Sequence, residues 1–158
     1  MPDTLIGLAE QLGQFLKTNN QKIATAESCT GGWIAQCITE VPGSSAWFDR
    51  GFVTYSNAAK MQMLGVHPET LLMHGAVSAE TALEMVSGAL AHSEADCAIA
   101  VTGIAGPDGG SAEKPVGTVY IAWQTKNQAA KIKKMLLTGS RQQIREQTVI
   151  AAIKGVLL

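Results

Sequence analysis

Apolar residues follow two rhythms along this chain, helical spacing in some stretches and short continuous or alternating runs in others, and their order predicts the fold. In residues 3–18, Leu5, Leu8, Leu12 and Phe15 recur on one helical face, with Asp3 placed to act as N-cap. Residues 22–26 predict a short strand. It runs into the turn Ser28-Cys29-Thr30-Gly31-Gly32, and a helix over 31–40 follows, ended by Pro42-Gly43. Gly51 to Tyr55 reads as a second strand, residues 57–64 as a short helix, and residues 68–74 as a further turn or two of helix. Ser78 predicts the N-cap of a helix reaching about residue 92, with Glu80 in the first turn, where the helix dipole favours an acid.

Cys97 to Val101 is a continuous apolar run, as expected of a strand covered on both faces. Residues 117–125 and 129–137 predict an antiparallel hairpin around Lys126-Asn127-Gln128, and Ser140 with Gln143 fits a capping box opening the last helix. Strands alternate with helices and then close with a hairpin. The expected fold class is therefore α/β: one domain over residues 1–158, three layers (α/β/α), on a mixed, mostly parallel sheet. In such sheets functional loops lie beyond the C-terminal ends of the strands, which is where the Gly-containing segments after Glu27 and after Thr102 would fall.

Composition narrows the function. With 158 residues, 46% apolar and 16% charged, the chain can bury a substantial core and does not read as disordered. A net charge of -1 without basic blocks leaves no electrostatic footprint for nucleic acid. A small anion remains possible, because backbone amides and one or two Arg can hold it. Cys29, Cys37 and Cys97 form no C-x-x-C pair and no disulfide framework. No N-terminal leader pattern or membrane-length apolar run is seen, so the expectation is a cytoplasmic protein with no membrane partner. No His, Cys and Asp cluster has ligand spacing, so neither metal nor cofactor is expected.

Three segments could carry chemistry. At the Ser28 turn a hydroxyl and a thiol precede two glycines, so a nucleophile there would gain helix-terminal amides for an oxyanion and a close approach to the ligand. Ser28 or Thr30 could equally be a plain helix cap, and Cys29 competes with Ser28 as attacker. In Tyr55-Ser56-Asn57-Ala58-Ala59-Lys60, Lys60 lies just beyond a strand end and could serve as the base for a serine if desolvated; a solvated helix lysine is the plain alternative. His67, His74 and His92 have no spacing that marks a triad. From Thr102 through Gly103, Gly106, Gly109 and Gly110 the chain is too rich in glycine for a simple connection and suits a loop that wraps a phosphate or ribose, or a structural Ω-loop. Asp108, Glu113 and Lys114 add charge to it. Arg141 and Arg145 share a face near the start of the last helix, where they could meet a phosphate or only solvent. Trp33, Trp47 and Phe48, apolar residues near loops, suggest a homo-oligomer, although core packing would explain them equally.

Together, Ala26-Glu27-Ser28-Cys29-Thr30-Gly31-Gly32, then Tyr55-Ser56-Asn57 with Lys60, then Val101 to Gly110, then Lys114-Pro115-Val116-Gly117-Thr118-Val119, resemble the CinA C-terminal domain family over almost the whole chain and in the same order. The resemblance implies a nicotinamide-nucleotide amidase that converts nicotinamide mononucleotide and water to nicotinate mononucleotide and ammonia, returning a pyridine nucleotide to NAD synthesis. It implies Ser28 as nucleophile, Lys60 as its base and Tyr55 as a supporting residue. Amides around Cys29, Thr30 and Gly31 would form the oxyanion hole, and the Thr102–Gly110 loop would hold the nucleotide. Two other readings fit the same segments: a domain that binds nucleotides without turning them over, and an interaction module linked to competence or DNA damage.

Overall fold

In the computed structural model, which describes residues 4–158, five strands form one sheet in the order β2-β1-β3-β4-β5. The elements run α1 (Leu5–Thr18), β1 (Ile23–Glu27), α2 (Trp33–Thr39), a 3₁₀ turn (Ser44–Ala46), β2 (Phe48–Val53), α3 (Asn57–Leu64), α4 (Pro68–His74), α5 (Ala79–Ala91), β3 (Cys97–Gly103), β4 (Thr118–Thr125), β5 (Lys131–Leu136) and α6 (Arg141–Leu157). Strand β1 pairs in parallel with both β2 and β3, while β3 with β4 and β4 with β5 are antiparallel. The sheet is thus mixed, and only β4 opposes the common direction. Helices α1, α2 and α6 cover one face, and α3 and α4 pack through α5 on the other, completing the three layers.

The two faces are built from different side chains. Toward α1, α2 and α6 the central strands present Ile23, Ile99, Val101 and Ile121, packed with Leu8, Leu12, Leu16 and Ile153. Each such large side chain contributes roughly 1.5–3 kcal/mol by leaving water. Toward α5 the same strands present Ala24, Ala26, Ala98, Ala100 and Ala122, against Ala82, Met85, Val86 and Ala89. That alternation of large and small is the period-2 pattern of a strand buried on both sides.

Serine and threonine fix the helix starts. The hydroxyls of Thr4, Ser56, Ser78 and Ser140 each accept an amide three residues on, and Gln143 completes the capping box with Ser140. Asp3, the cap expected from sequence, lies outside the described residues, and Thr4 fills the role. Phe15 sits at the rim of α1, 36% exposed, and Leu16 takes the buried position. Trp47 is in the core at 1% exposure, and Trp33 and Phe48 pack against it, so these aromatics give no support to an oligomer.

Strand β2 begins three residues before the expected Gly51. Asp49 and Arg50 interrupt its apolar run, which an edge strand tolerates. Helix α2 starts at Trp33 rather than Gly31 because Gly31 and Gly32 both hold positive φ. No helix among the described residues is long and apolar enough to cross a membrane.

Candidate active site

Register brings the chemistry together. Glu27, the last residue of β1, lies beside Val53 of β2 and Val101 of β3. The ladder continues one step further, with the Ser28 amide on the Val101 carbonyl at 3.1 Å and the Thr54 amide on the Glu27 carbonyl at 2.8 Å. The chain segments that leave these three parallel strands therefore emerge side by side, and a cavity of about 270 Å³ lies between them, lined in part by Ser28, Tyr55, Lys60, Thr102, Gly106 and Arg141.

Ser28 and Lys60 meet there. Lys60 is 1% exposed and Ser28 7%. The Lys60 Nζ lies 3.0 Å from the Ser28 Oγ, 3.0 Å from the Thr54 carbonyl oxygen and 3.2 Å from the Tyr55 carbonyl oxygen. A protonated lysine would donate to all three. A neutral one gives its two N–H groups to the carbonyls and turns its lone pair on the Ser28 hydroxyl, the arrangement a base requires. Burial lowers the Lys60 pKa from its ordinary value of 10.5 and outweighs the opposing influence of Cys29. Lys60 reaches this position because Ser56 caps α3, and Lys60 lies on the buried side of that helix's first turns.

Ser28 is not a cap. The N-terminus of α2 is held instead by Glu27, whose Oε1 accepts the Thr30 hydroxyl at 2.6 Å and the Ile34 amide at 2.8 Å, and whose Oε2 accepts the Ala35 amide at 3.0 Å. An acid at a helix N-terminus is favoured by the dipole, and here it frees the serine hydroxyl. Sequence reasoning missed Glu27. The signal was present, because a carboxylate closing the apolar strand Ile23–Glu27 requires partners of its own.

Cys29 is removed as a rival nucleophile. Its thiol pKa is pushed up to about 11, chiefly by burial, so it stays protonated and unreactive at neutral pH. Iodoacetamide at neutral pH is therefore expected to leave turnover intact, and Cys29→Ala to retain activity of the parent's order. Loss of activity in step with Cys29 alkylation, followed by mass spectrometry, would reverse the assignment.

The turn itself is tightly specified. The Gly31 amide, expected among the oxyanion donors, gives its hydrogen to the Ser28 carbonyl at 3.0 Å and is spent within the turn. Gly31 has φ of 60°, open to glycine, and the Arg145 guanidinium would lie 3.4 Å from a Cβ there. The amides of Cys29 and Thr30 take no backbone acceptor among the described residues.

Of the other expected residues, Thr102, Gly103, Gly106, Gly109 and Arg141 line the cavity. The Thr102 hydroxyl donates to the Ala76 carbonyl at 2.8 Å and ties down the segment between α4 and α5. Arg141 bridges the two sides, with Nη1 donating to the Gly106 carbonyl at 2.7 Å and Nη2 to the Tyr55 phenol oxygen at 3.1 Å. Tyr55 thus serves Lys60 through its carbonyl and Arg141 through its ring hydroxyl. Gly110 does not line the cavity; a Cβ there would lie 2.7 Å from the Val116 nitrogen, so it packs the loop on itself.

Arg145, expected beside a phosphate, is also absent from the lining: its guanidinium lies over the Trp33 ring at 5.5 Å and binds the turn from behind. Asn57 and Asp108 line the cavity as well. His67 and His74 face Glu84 and Glu80, and His92 bonds the Gly88 carbonyl, all away from this site.

Residues 6–158 match the family model described as the CinA C-terminal domain. The chain is 53% identical over 150 residues to nicotinamide-nucleotide amidohydrolase PncC of Escherichia coli K12, a match covering 95% of this chain and 91% of that protein. It is 53% identical over 156 residues to the Pseudomonas putida protein of the same name, covering 98% and 96%. Among solved structures, the competence/damage inducible protein CihA of Agrobacterium tumefaciens superposes with a TM-score of 0.95 at 49% identity, over 97% of this chain and 93% of that one.

Proposed function

Because this chain belongs to the CinA C-terminal domain family, we propose that it hydrolyses the carboxamide of nicotinamide mononucleotide, giving nicotinate mononucleotide and ammonia. The observation that carries the reading is the buried Lys60 Nζ, held by two carbonyl oxygens and 3.0 Å from the Ser28 Oγ. The names of the similar proteins from Escherichia coli and Pseudomonas putida supply the substrate class.

Neutral Lys60 takes the Ser28 hydroxyl proton as Oγ bonds to the carboxamide carbon, and the C=O electron pair becomes an oxyanion. The Cys29 and Thr30 amides stabilise that charge. When the oxyanion collapses, the C–N bond breaks and the amide nitrogen leaves as ammonia with the proton held by Lys60. Water then attacks the acyl-serine ester and gives its proton to Lys60. Collapse releases nicotinate mononucleotide, and the proton returns to the Ser28 Oγ. Base and oxyanion donors both come from the chain, so the sequence needs no metal. The glycine loop and Arg141 take the ribose phosphate. The product re-enters NAD synthesis, and the buried free thiols Cys29, Cys37 and Cys97 suit the reducing cytoplasm.

Incubation of the purified protein with nicotinamide mononucleotide, with and without EDTA, is expected to release ammonia and nicotinate mononucleotide in equal amounts. A folded protein that binds the nucleotide without releasing ammonia would replace this reading with one of binding alone.

A further inference from the structure

We infer that Arg145 is a positioning residue for the oxyanion hole, acting through the peptide planes of the Ser28 turn rather than through the substrate. This rests on the amidase reading above and names how its charge-stabilising amides are held. Arg145 Nε donates to the Cys29 carbonyl and Nη2 to the Thr30 carbonyl, both at 3.1 Å. The guanidinium is a planar fork with fixed donor directions, so two adjacent carbonyls bound to one fork are fixed relative to each other. Stacking over Trp33 at 5.5 Å restrains the fork in turn.

In a planar trans peptide the carbonyl and the following N–H point in opposite directions. Holding the Cys29 carbonyl toward Arg145 therefore turns the Thr30 N–H away from it. The preceding plane is set in the same manner by the turn itself: the Gly31 amide on the Ser28 carbonyl, at 3.0 Å, turns the Cys29 N–H away. Two consecutive amides next to the nucleophile are thus oriented by bonds made on the far side of their own peptide groups. Arg145 itself stays out of the cavity. A charged donor on the carbonyl also polarises the peptide and strengthens its N–H as a donor. Glu27 anchors the opposite end of the same turn through the Thr30 hydroxyl at 2.6 Å, a side-chain bond that leaves the orientation of the Cys29–Thr30 peptide plane to Arg145.

The test compares Arg145→Ala and Arg145→Lys with the parent protein. In Arg145→Ala, kcat for nicotinamide mononucleotide should fall roughly 10–100-fold with KM almost unchanged, because the neutral carboxamide of the substrate gains its oxyanion only in the transition state. Added guanidinium should restore part of kcat. Arg145→Lys, which keeps the charge but not the fork, should fall between the two and serves as the reference if the alanine variant folds poorly. The rate at which a fluorophosphonate labels Ser28 should drop in parallel, since that reaction also builds charge on an oxygen beside the nucleophile.

A raised KM at unchanged kcat would make Arg145 a substrate ligand and overturn the inference, as would kinetics equal to the parent's. A parent that labels with fluorophosphonate but does not turn over the nucleotide would sink the substrate assignment alone, the labelling rates of the variants still deciding the role of Arg145. A parent that does neither overturns both.

Discussion

Ser28→Ala is expected to lose at least ~10³-fold in turnover of nicotinamide mononucleotide while still binding the nucleotide. The loss is large because no neighbour can replace the missing oxygen. Cys29 is adjacent, but its thiol is protonated, and consecutive residues of a turn face different ways. Water could attack the carboxamide directly with Lys60 as base, and that route, aided by the Cys29 and Thr30 amides, sets the small residual rate. Stability should change little, by about 1 kcal/mol, because the Ser28 Oγ gives up one bond to Lys60 whose other two partners, the Thr54 and Tyr55 carbonyls, remain. Steady-state ammonia release, binding calorimetry with the substrate and a urea melt of the same preparation check all three expectations. Turnover within tenfold of the parent would remove Ser28 from the chemistry.

Lys60→Met should cost about as much activity, and its second signature lies in pH. Turnover needs the neutral amine, so the parent's kcat/KM should rise tenfold per pH unit up to the pKa of Lys60 in the folded protein and then level. Burial sets that pKa below 10.5, so the rise is displaced to the acid side of an ordinary lysine. Lys60→Met lacks this limb. The same displacement links pH to stability. Between the folded-state pKa and 10.5 the unfolded chain still carries the proton that the native protein has released, so unfolding takes up a proton. The parent should therefore become more stable as pH rises through that window, with no such gain in Lys60→Met. Urea midpoints measured across alkaline pH decide the matter; equal slopes for the two proteins would show that Lys60 keeps its proton in the native state.

How far the site was legible depended on whether its signal was a pattern or a contact. Helices α3 and α4 and the caps at Ser78 and Ser140 follow from local spacing, and the structure places them at those residues. The resemblance to a known family singled out Ser28 and Lys60 against their plain readings as a cap and a surface lysine. The structure brings the two side chains into contact although they are 32 residues apart. Contacts made across the sheet were not legible. Nothing in the spacing of Arg141 and Arg145, four residues apart on one helix, says that one reaches over the cavity to Gly106 and Tyr55 while the other turns to Trp33 and the back of the turn. The same holds for Trp47, which local sequence places beside a loop and the fold places against α1, where a Cβ on Gly13 would come within 2.7 Å of its ring.

The unequal paving of the sheet has a consequence for how this sequence can drift. On the face toward α1, α2 and α6, large residues such as Ile99 and Ile121 can shrink, and the penalty is a void that leaves the loops at the strand ends in place. On the other face, Ala24, Ala26, Ala98 and Ala100 can only grow, and growth there pushes α5 outward. Helix α5 has no slack to absorb it, since a Cβ on Gly88 would already fall 2.0 Å from the carbonyl oxygen of Leu64, at the end of the helix that carries Lys60. Mutational wear on one face therefore spends thermal stability, whereas on the other it moves the base relative to the serine, so the alanine face should be the more slowly changing half of the core for reasons of catalysis rather than of folding.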